Sequence, residues 1–171
     1  MNEDKLISMI KEKLVEREKK QVAIAYQHNC QIALPPSVTV FYEYRNINLH
    51  QVSIRLIKDL YQMKETPWVE WLLTGISYQI SFSIELNEFI LPFVPWKMLT
   101  EWPVVFKMSN QRVHAFQTNM LTRQLIIGLP NNSFLVILKQ QKLTQEAIEL
   151  IKKNNITVIE RVNETCIWEE S

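Results

Sequence analysis

Glycine is nearly absent: 171 residues contain two, Gly75 and Gly128. Neither opens a GxGxxG or GxxxxGK[ST] run, and a phosphate cradle needs the close backbone approach that such glycines permit at a helix start. The chain therefore argues against a dinucleotide or P-loop site. Cysteine is as scarce, with Cys30 and Cys166 far apart and in no CxxC or Cys/His spacing. That fits reduced thiols in a cytosolic protein better than a disulfide framework or a zinc site. Charge of one sign is lacking too. Nineteen Lys plus Arg against eighteen Asp plus Glu leave a formal charge of +1, so no global field draws in nucleic acid or an anionic membrane. No apolar run is long enough to span a bilayer, and the acidic start MNEDKLISMIKEK is unlike a signal peptide. The expectation is a soluble cytosolic protein that meets neither nucleic acid nor membrane, in which the sequons Asn131-Asn132-Ser133 and Asn163-Glu164-Thr165 are chance matches.

What is present is enough hydrophobic residue, 47% of the chain, to bury one domain-sized core. Residues 3–20, EDKLISMIKEKLVEREKK, place Leu6, Ile7, Ile10 and Leu14 at spacings of three and four. This is a narrow apolar stripe on an otherwise charged helix, with acids in the first turn and lysines in the last to complement the dipole. Such a helix docks on a partner or on its own body without belonging to a deep core. Residues 21–49 read as a linker with possible edge strands: HNCQIALPPS is held extended by Pro35-Pro36, and VTVFYEY, residues 38–44, has the β-branched and aromatic content of a strand.

Residues 50–161 form the predicted body. The second half of 54–64 reads as helix, Thr66-Pro67-Trp68 starts another, and Gly75 is placed to close it. Residues 76–86, ISYQISFSIEL, alternate with period two and read as a strand. In FILPFVPWKMLTEWPVVFK, residues 89–107, the prolines predict a stiff crossover, a short helix from Trp96 to Thr100 and a strand from Val104. Ser109-Asn110 is a turn leading to a return strand. Phe134–Leu138 is an apolar run suited to a strand covered on both faces. Thr144 caps a helix burying Ala147, Ile148, Leu150 and Ile151, Asn154 or Asn155 ends it, and Ile156–Ile159 is the next strand, making a right-handed βαβ unit. The fold expected is α/β: one compact domain with a mixed sheet, preceded by the amphipathic helix and followed by a polar tail, 162–171, anchored by Trp168.

No catalytic constellation is legible. His28, His50 and His114 are scattered, and no GxSxG elbow surrounds a nucleophile. Cys30 beside His28 reads as loop, and tryptophans 68, 71, 96, 102 and 168 read as core packing rather than a ligand pocket.

Two stretches carry a resemblance. MNEDKLISMIKEKLVER resembles the short amphipathic encapsulation helices at the ends of microcompartment cargo proteins. From Gly75 onward, ISYQISFSIELNEFILPFVPWKMLTEWPVVF, then LTRQLI, FLVILK and LTQEAIELIKKNNITVIE, resembles the PduM family of propanediol-utilisation microcompartment assembly proteins. The resemblance implies a non-enzymatic component with no cofactor and no metal, resident in a bacterial microcompartment within the cytoplasm. Its partners would be shell proteins and also core enzymes, with Leu6, Ile7, Ile10 and Leu14 as the shell-docking face. The rival expectation is a small cofactor-binding protein or enzyme of the same pathway, with a pocket at the strand C-termini.

Overall fold

The chain enters through α1 (Glu3–Lys19), with Glu3 and Asp4 in its first turn and Arg17 and Lys19 in its last. The computed structural model describes residues 2–161. After α1 come β1 (Gln21–Ala25), the small ribbon of β2 (Gln27–His28) and β3 (Gln31–Ile32), α2 (Val40–Glu43), β4 (Asn46–His50), α3 (Ile54–Tyr61), α4 (Pro67–Ser77) and β5 (Ser81–Leu86). A 3-10 turn at Leu91–Phe93 leads to α5 (Trp96–Glu101), β6 (Val104–Met108), β7 (Gln111–His114), β8 (Met120–Leu121) and α6 (Arg123–Ile126). The last elements are β9 (Phe134–Leu138), β10 (Lys142–Leu143), α7 (Gln145–Lys153) and β11 (Thr157–Arg161).

Seven strands form one sheet in the order β1-β4-β5-β6-β7-β9-β11. Neighbours in space are therefore neighbours in sequence, apart from the two small ribbons. β1, β4, β5 and β6 are parallel, β6 and β7 are antiparallel, and β7, β9 and β11 are again parallel. The reversal is a two-residue hairpin in which Ser109 (φ 50°) and Asn110 (φ 60°) both take the left-handed conformation that matches strand twist.

That hairpin decides where the helices go. Every crossover steps the same way across the sheet, so the right-handed rule puts the helices of the first block on one face and, once the strands reverse, those of the second block on the other. Packing follows this division. Ile47, Leu49, Phe82, Ile84, Phe106 and Val136 share a core with Phe41 of α2, Leu56, Ile57 and Leu60 of α3, Trp68 and Trp71 of α4 and Met98 of α5. Leu135 and Ile137, which point from the other side of β9, pack with Leu121, Ile126 of α6 and Ala147 and Ile151 of α7.

Several sequence expectations are corrected. VTVFYEY is not a strand: its middle residues form α2, begun by turn bonds from Val40, Phe41 and Tyr42 N–H to the carbonyls of Ser37, Val38 and Thr39. The turn delivers Phe41, fully buried, between Trp71 (ring centroids 4.8 Å apart) and Phe82. Burying such a ring contributes about 3 kcal/mol, more than strand propensity offers. Gly75 does not close α4. It lies inside the helix, where a Cβ would overlap the Phe82 ring and stand 3.1 Å from Phe41. The left-handed cap is Gln79 (φ 60°), with Ile80 N–H bonded to Gly75 O and Gln79 N–H to Ile76 O. The same double bond ends α3 at Met63 and α7 at Asn155. Because α4 runs to Ser77, β5 starts at Ser81 rather than Ile76, and the alternation of 76–80 comes from a helix end. α3 occupies the first half of the 54–64 segment, not only the second.

The proline-rich stretch is a joint, as the sequence indicates. Asn87 Oδ1 accepts from Phe89 and Ile90 N–H to start it. Arg161, buried at the end of β11, locks it: Nη1 donates to Val94 O at 2.7 Å, Nη2 to Pro92 O at 3.3 Å, and the guanidinium lies over the Trp96 ring. The C-terminal β9-α7-β11 unit is parallel and capped by Thr144 Oγ1, which accepts from Ala147 N–H. The segment 21–49 supplies β1, an edge strand, and β4, the second strand of the main sheet.

Candidate functional site

α1 is tied to the body at one end only. Its last turn runs directly into β1, and Arg17 fixes the angle: Nε donates to Phe41 O at 2.8 Å and Nη2 to Tyr78 O at 3.1 Å. Asn46 of β4 adds one bond, Nδ2 to Glu18 O. Among the described residues, α1 has no buried side chain. Leu6, Ile7, Ile10 and Leu14 are 43%, 49%, 50% and 52% exposed.

Those four residues share one face, since positions three and four apart align on a helix. Arg17, three residues past Leu14, continues that face into the body, so the stripe descends toward the exposed pair Tyr42 and Tyr78, whose rings meet edge to face at 5.7 Å. Met9 and Val15 are also exposed and widen the apolar surface. A lone helix of 17 residues is marginal in water. Its Glu16–Lys20 pair, at 4.0 Å and largely exposed, contributes only a few tenths of a kcal/mol.

Other candidates named from sequence are not brought together. His50 lies on β4, His114 on β7 and His28 on the β2–β3 ribbon. Cys30 sits exposed at the tip of that ribbon, in a left-handed turn with Asn29. Trp68, Trp71 and Trp96 are buried and Trp102 stacks on Tyr61, which is the core reading; Trp168 lies outside the described residues. Among the described residues no three His, Cys, Asp or Glu side chains group as a metal site, and no helix is long and apolar enough to cross a membrane.

A feature that sequence reading passed over is a cleft of about 500 Å³ on the sheet face opposite α2–α5, floored by Asn46, Asn48, Ser81, Ser83, Lys107 and Arg112 among others. Alternation along the strands carries part of the signal, and strand register completes it by placing the polar members of β4, β5 and β6 on this face. His114 stands on the same face one strand beyond Lys107, half-buried, its Nε2 making no hydrogen bond among the described residues. Burial, then the Arg112 charge, holds its imidazole below the ordinary range. A smaller cleft of about 200 Å³ lies between the 32–35 loop, Trp68 and Asp59, whose carboxylate is held by Lys64 at 3.0 Å and Arg55 at 3.7 Å.

Fold and site together define an α/β body that carries a charged, apolar-striped helix clear of its own core. Residues 5–157 match the family described as "putative propanediol utilisation", and the chain belongs to that family. No curated protein and no solved structure gives a match.

Proposed function

We propose that this protein is a non-enzymatic assembly component of the bacterial microcompartment that degrades 1,2-propanediol, and that α1 tethers it to the shell while the body meets the enzymatic core. Membership of a propanediol-utilisation family supports the pathway, and the resemblance of the N-terminal helix and of the chain from Gly75 onward to PduM-type proteins supports the assembly role. The observation that carries the tether is that α1 holds an apolar stripe that stays exposed, with no α1 side chain buried among the described residues.

The mechanism is helix-in-groove docking. Leu6, Ile7, Ile10 and Leu14 enter an apolar groove of a shell protein, and the body follows through the rigid junction at Arg17. One such contact is weak after the costs of association and ordering. A shell presents the same groove repeatedly, so tethered copies gain by avidity.

Co-purification tests this. The full chain and a version starting at Gln21 are each expressed with shell proteins of a propanediol compartment, one at a time. Retention of the full chain by one shell protein, with loss of the shortened chain, is the expected result. If both chains are folded and neither is retained, the tether reading fails.

A further inference from the structure

Parallel strands are ordinarily covered on both faces. β1, β4, β5 and β6 are covered on one, because the hairpin at Ser109-Asn110 sends α6 and α7 to the far half of the other face. The bare half is polar by sequence, and its central side chains are short, so the floor is sunk as the cleft of about 500 Å³. With strands about 4.8 Å apart, the floor from β1 to β7 is about 19 Å across, too long for a single small anion.

Its chemistry is directional. Ser83 Oγ donates to Asn48 Oδ1 at 2.8 Å, which leaves the Asn48 amide N–H groups to donate outward. At one end Lys107 and Arg112 are register partners across the β6–β7 hairpin, an arrangement of like charges that is destabilising in itself. Neither makes an ion pair among the described residues. Glu85, the partner of Lys107 on β5, accepts from Asn110 N–H through Oε1 at 2.8 Å and offsets one of the two charges, and burial, then the Arg112 charge, lowers the pKa of His114 on the same face. Ala23 and Val105 lie on the same floor, so its polar groups form a strip through Asn48 and Ser83 that ends at the two cations, and two cations are too few for a nucleic-acid track. An extended acidic peptide fits this strip: its backbone bonds to Asn48 and Ser83, and its carboxylates balance the positive charge that Glu85 alone does not offset on Lys107 and Arg112.

We infer that this face is a second docking surface, for an acidic polypeptide segment in extended form, with Lys107 and Arg112 taking carboxylates and Asn48 and Ser83 taking backbone. The inference stands apart from the role of α1, and its test separates the two.

Fluorescein-labelled hexaglutamate, about as long extended as the floor is wide, is titrated into the full chain and followed by anisotropy. The result expected is saturable binding, weakened at least about tenfold by Lys107→Glu plus Arg112→Glu and clearly by the milder Lys107→Gln plus Arg112→Gln. Lys152→Glu plus Lys153→Glu, on the last turn of α7, and Leu6→Glu plus Ile10→Glu, on α1, leave affinity unchanged. Absence of saturable binding overturns the proposal, as does equal weakening by the α7 variant. Complete displacement by inorganic phosphate at matched charge also overturns it, since that marks a simple anion site. Unfolding midpoints of every variant are measured alongside, and the Gln pair decides if the Glu pair does not fold.

Discussion

Leu6→Glu plus Ile10→Glu separates binding from folding, and the structure fixes both magnitudes. These side chains are 43% and 50% exposed, and no α1 side chain is buried, so the body loses no core contact when they become charged. Surface changes of this kind stay within about 0.5 kcal/mol, a shift in Tm of no more than about 2 °C for a chain of this size. Docking is another matter. Covering the remaining half of four such side chains yields roughly 3–6 kcal/mol at about 1.5–3 kcal/mol per fully buried side chain. Association costs of at least about 4 kcal/mol leave a single-site affinity no tighter than about tens of millimolar, and avidity on an array multiplies it by about a hundred to ten thousand. Two glutamates remove half the gain and add desolvation, so retention on assembled shell should vanish while single-subunit binding, weak from the outset, changes little. Thermal unfolding and co-sedimentation with shell assemblies read the two quantities. A Tm lowered by about 5 °C or more would show that the helix packs on the body, and undiminished co-sedimentation would remove it as the tether.

The remaining predictions concern the body. Gly75→Ala gains about 1 kcal/mol of helix propensity but drives a methyl into Phe82, which Phe41 and Trp71 hold in place. Overpacking costs about 1–3 kcal/mol, so the variant should be less stable by about 1 kcal/mol in denaturant titration, whereas Gln79→Gly, at the left-handed cap, should be more stable by about that amount. Arg161→Ala removes the bonds to the Val94 and Pro92 carbonyls and should cost about 2–4 kcal/mol, with Arg161→Lys failing to restore the fork. Burial and Arg112 hold the folded pKa of His114 below its unfolded value; its share of stability is therefore complete above the ordinary imidazole range and is lost as pH falls toward the folded pKa. His114→Gln should flatten the decline in urea midpoint between about pH 7 and about pH 5.

Elements with local chemical punctuation were legible in the sequence. Thr66-Pro67 and Thr144 accept their helix-start N–H groups as read, Ser109-Asn110 turns the chain, and the prolines of 92–103 make a joint. The Asn155 cap of α7 was legible, but the ends of α3 and α4 were not, and the cause is the scarcity of glycine: Met63 and Gln79 occupy left-handed caps that carry no residue-type signal, while the one nearby glycine serves ring packing. α2 was missed because Phe41 is recruited by Trp71 and Phe82, which lie 30 and 41 residues further along the chain. The α1 stripe was readable by spacing alone. The polar sheet face needed register as well as alternation, because only pairing shows that Asn48, Ser83 and Lys107 belong to one surface.

The two surfaces have one topological origin. An apolar stripe such as that of α1 folds back onto its own domain when the domain offers a broad apolar face, and here the sheet's apolar faces are covered by its own helices. α2–α5 cover one side of the sheet, α6 and α7 cover β9 on the other, and what is left is a floor on which Asn46, Asn48, Ser81 and Ser83 lie among Ala23 and Val105. A helix burying Leu6, Ile7, Ile10 and Leu14 on that floor would strip water from amides and hydroxyls it has no groups to replace, at about 1–3 kcal/mol for each unsatisfied group, which offsets the gain from the stripe. The polar strip of the bare face works against docking of α1 there, and the Arg17 bonds set the helix's point of departure. A single reversal of strand direction at Ser109-Asn110 thus leaves the molecule with two separate surfaces, an apolar-striped helix and a cation-edged sheet face.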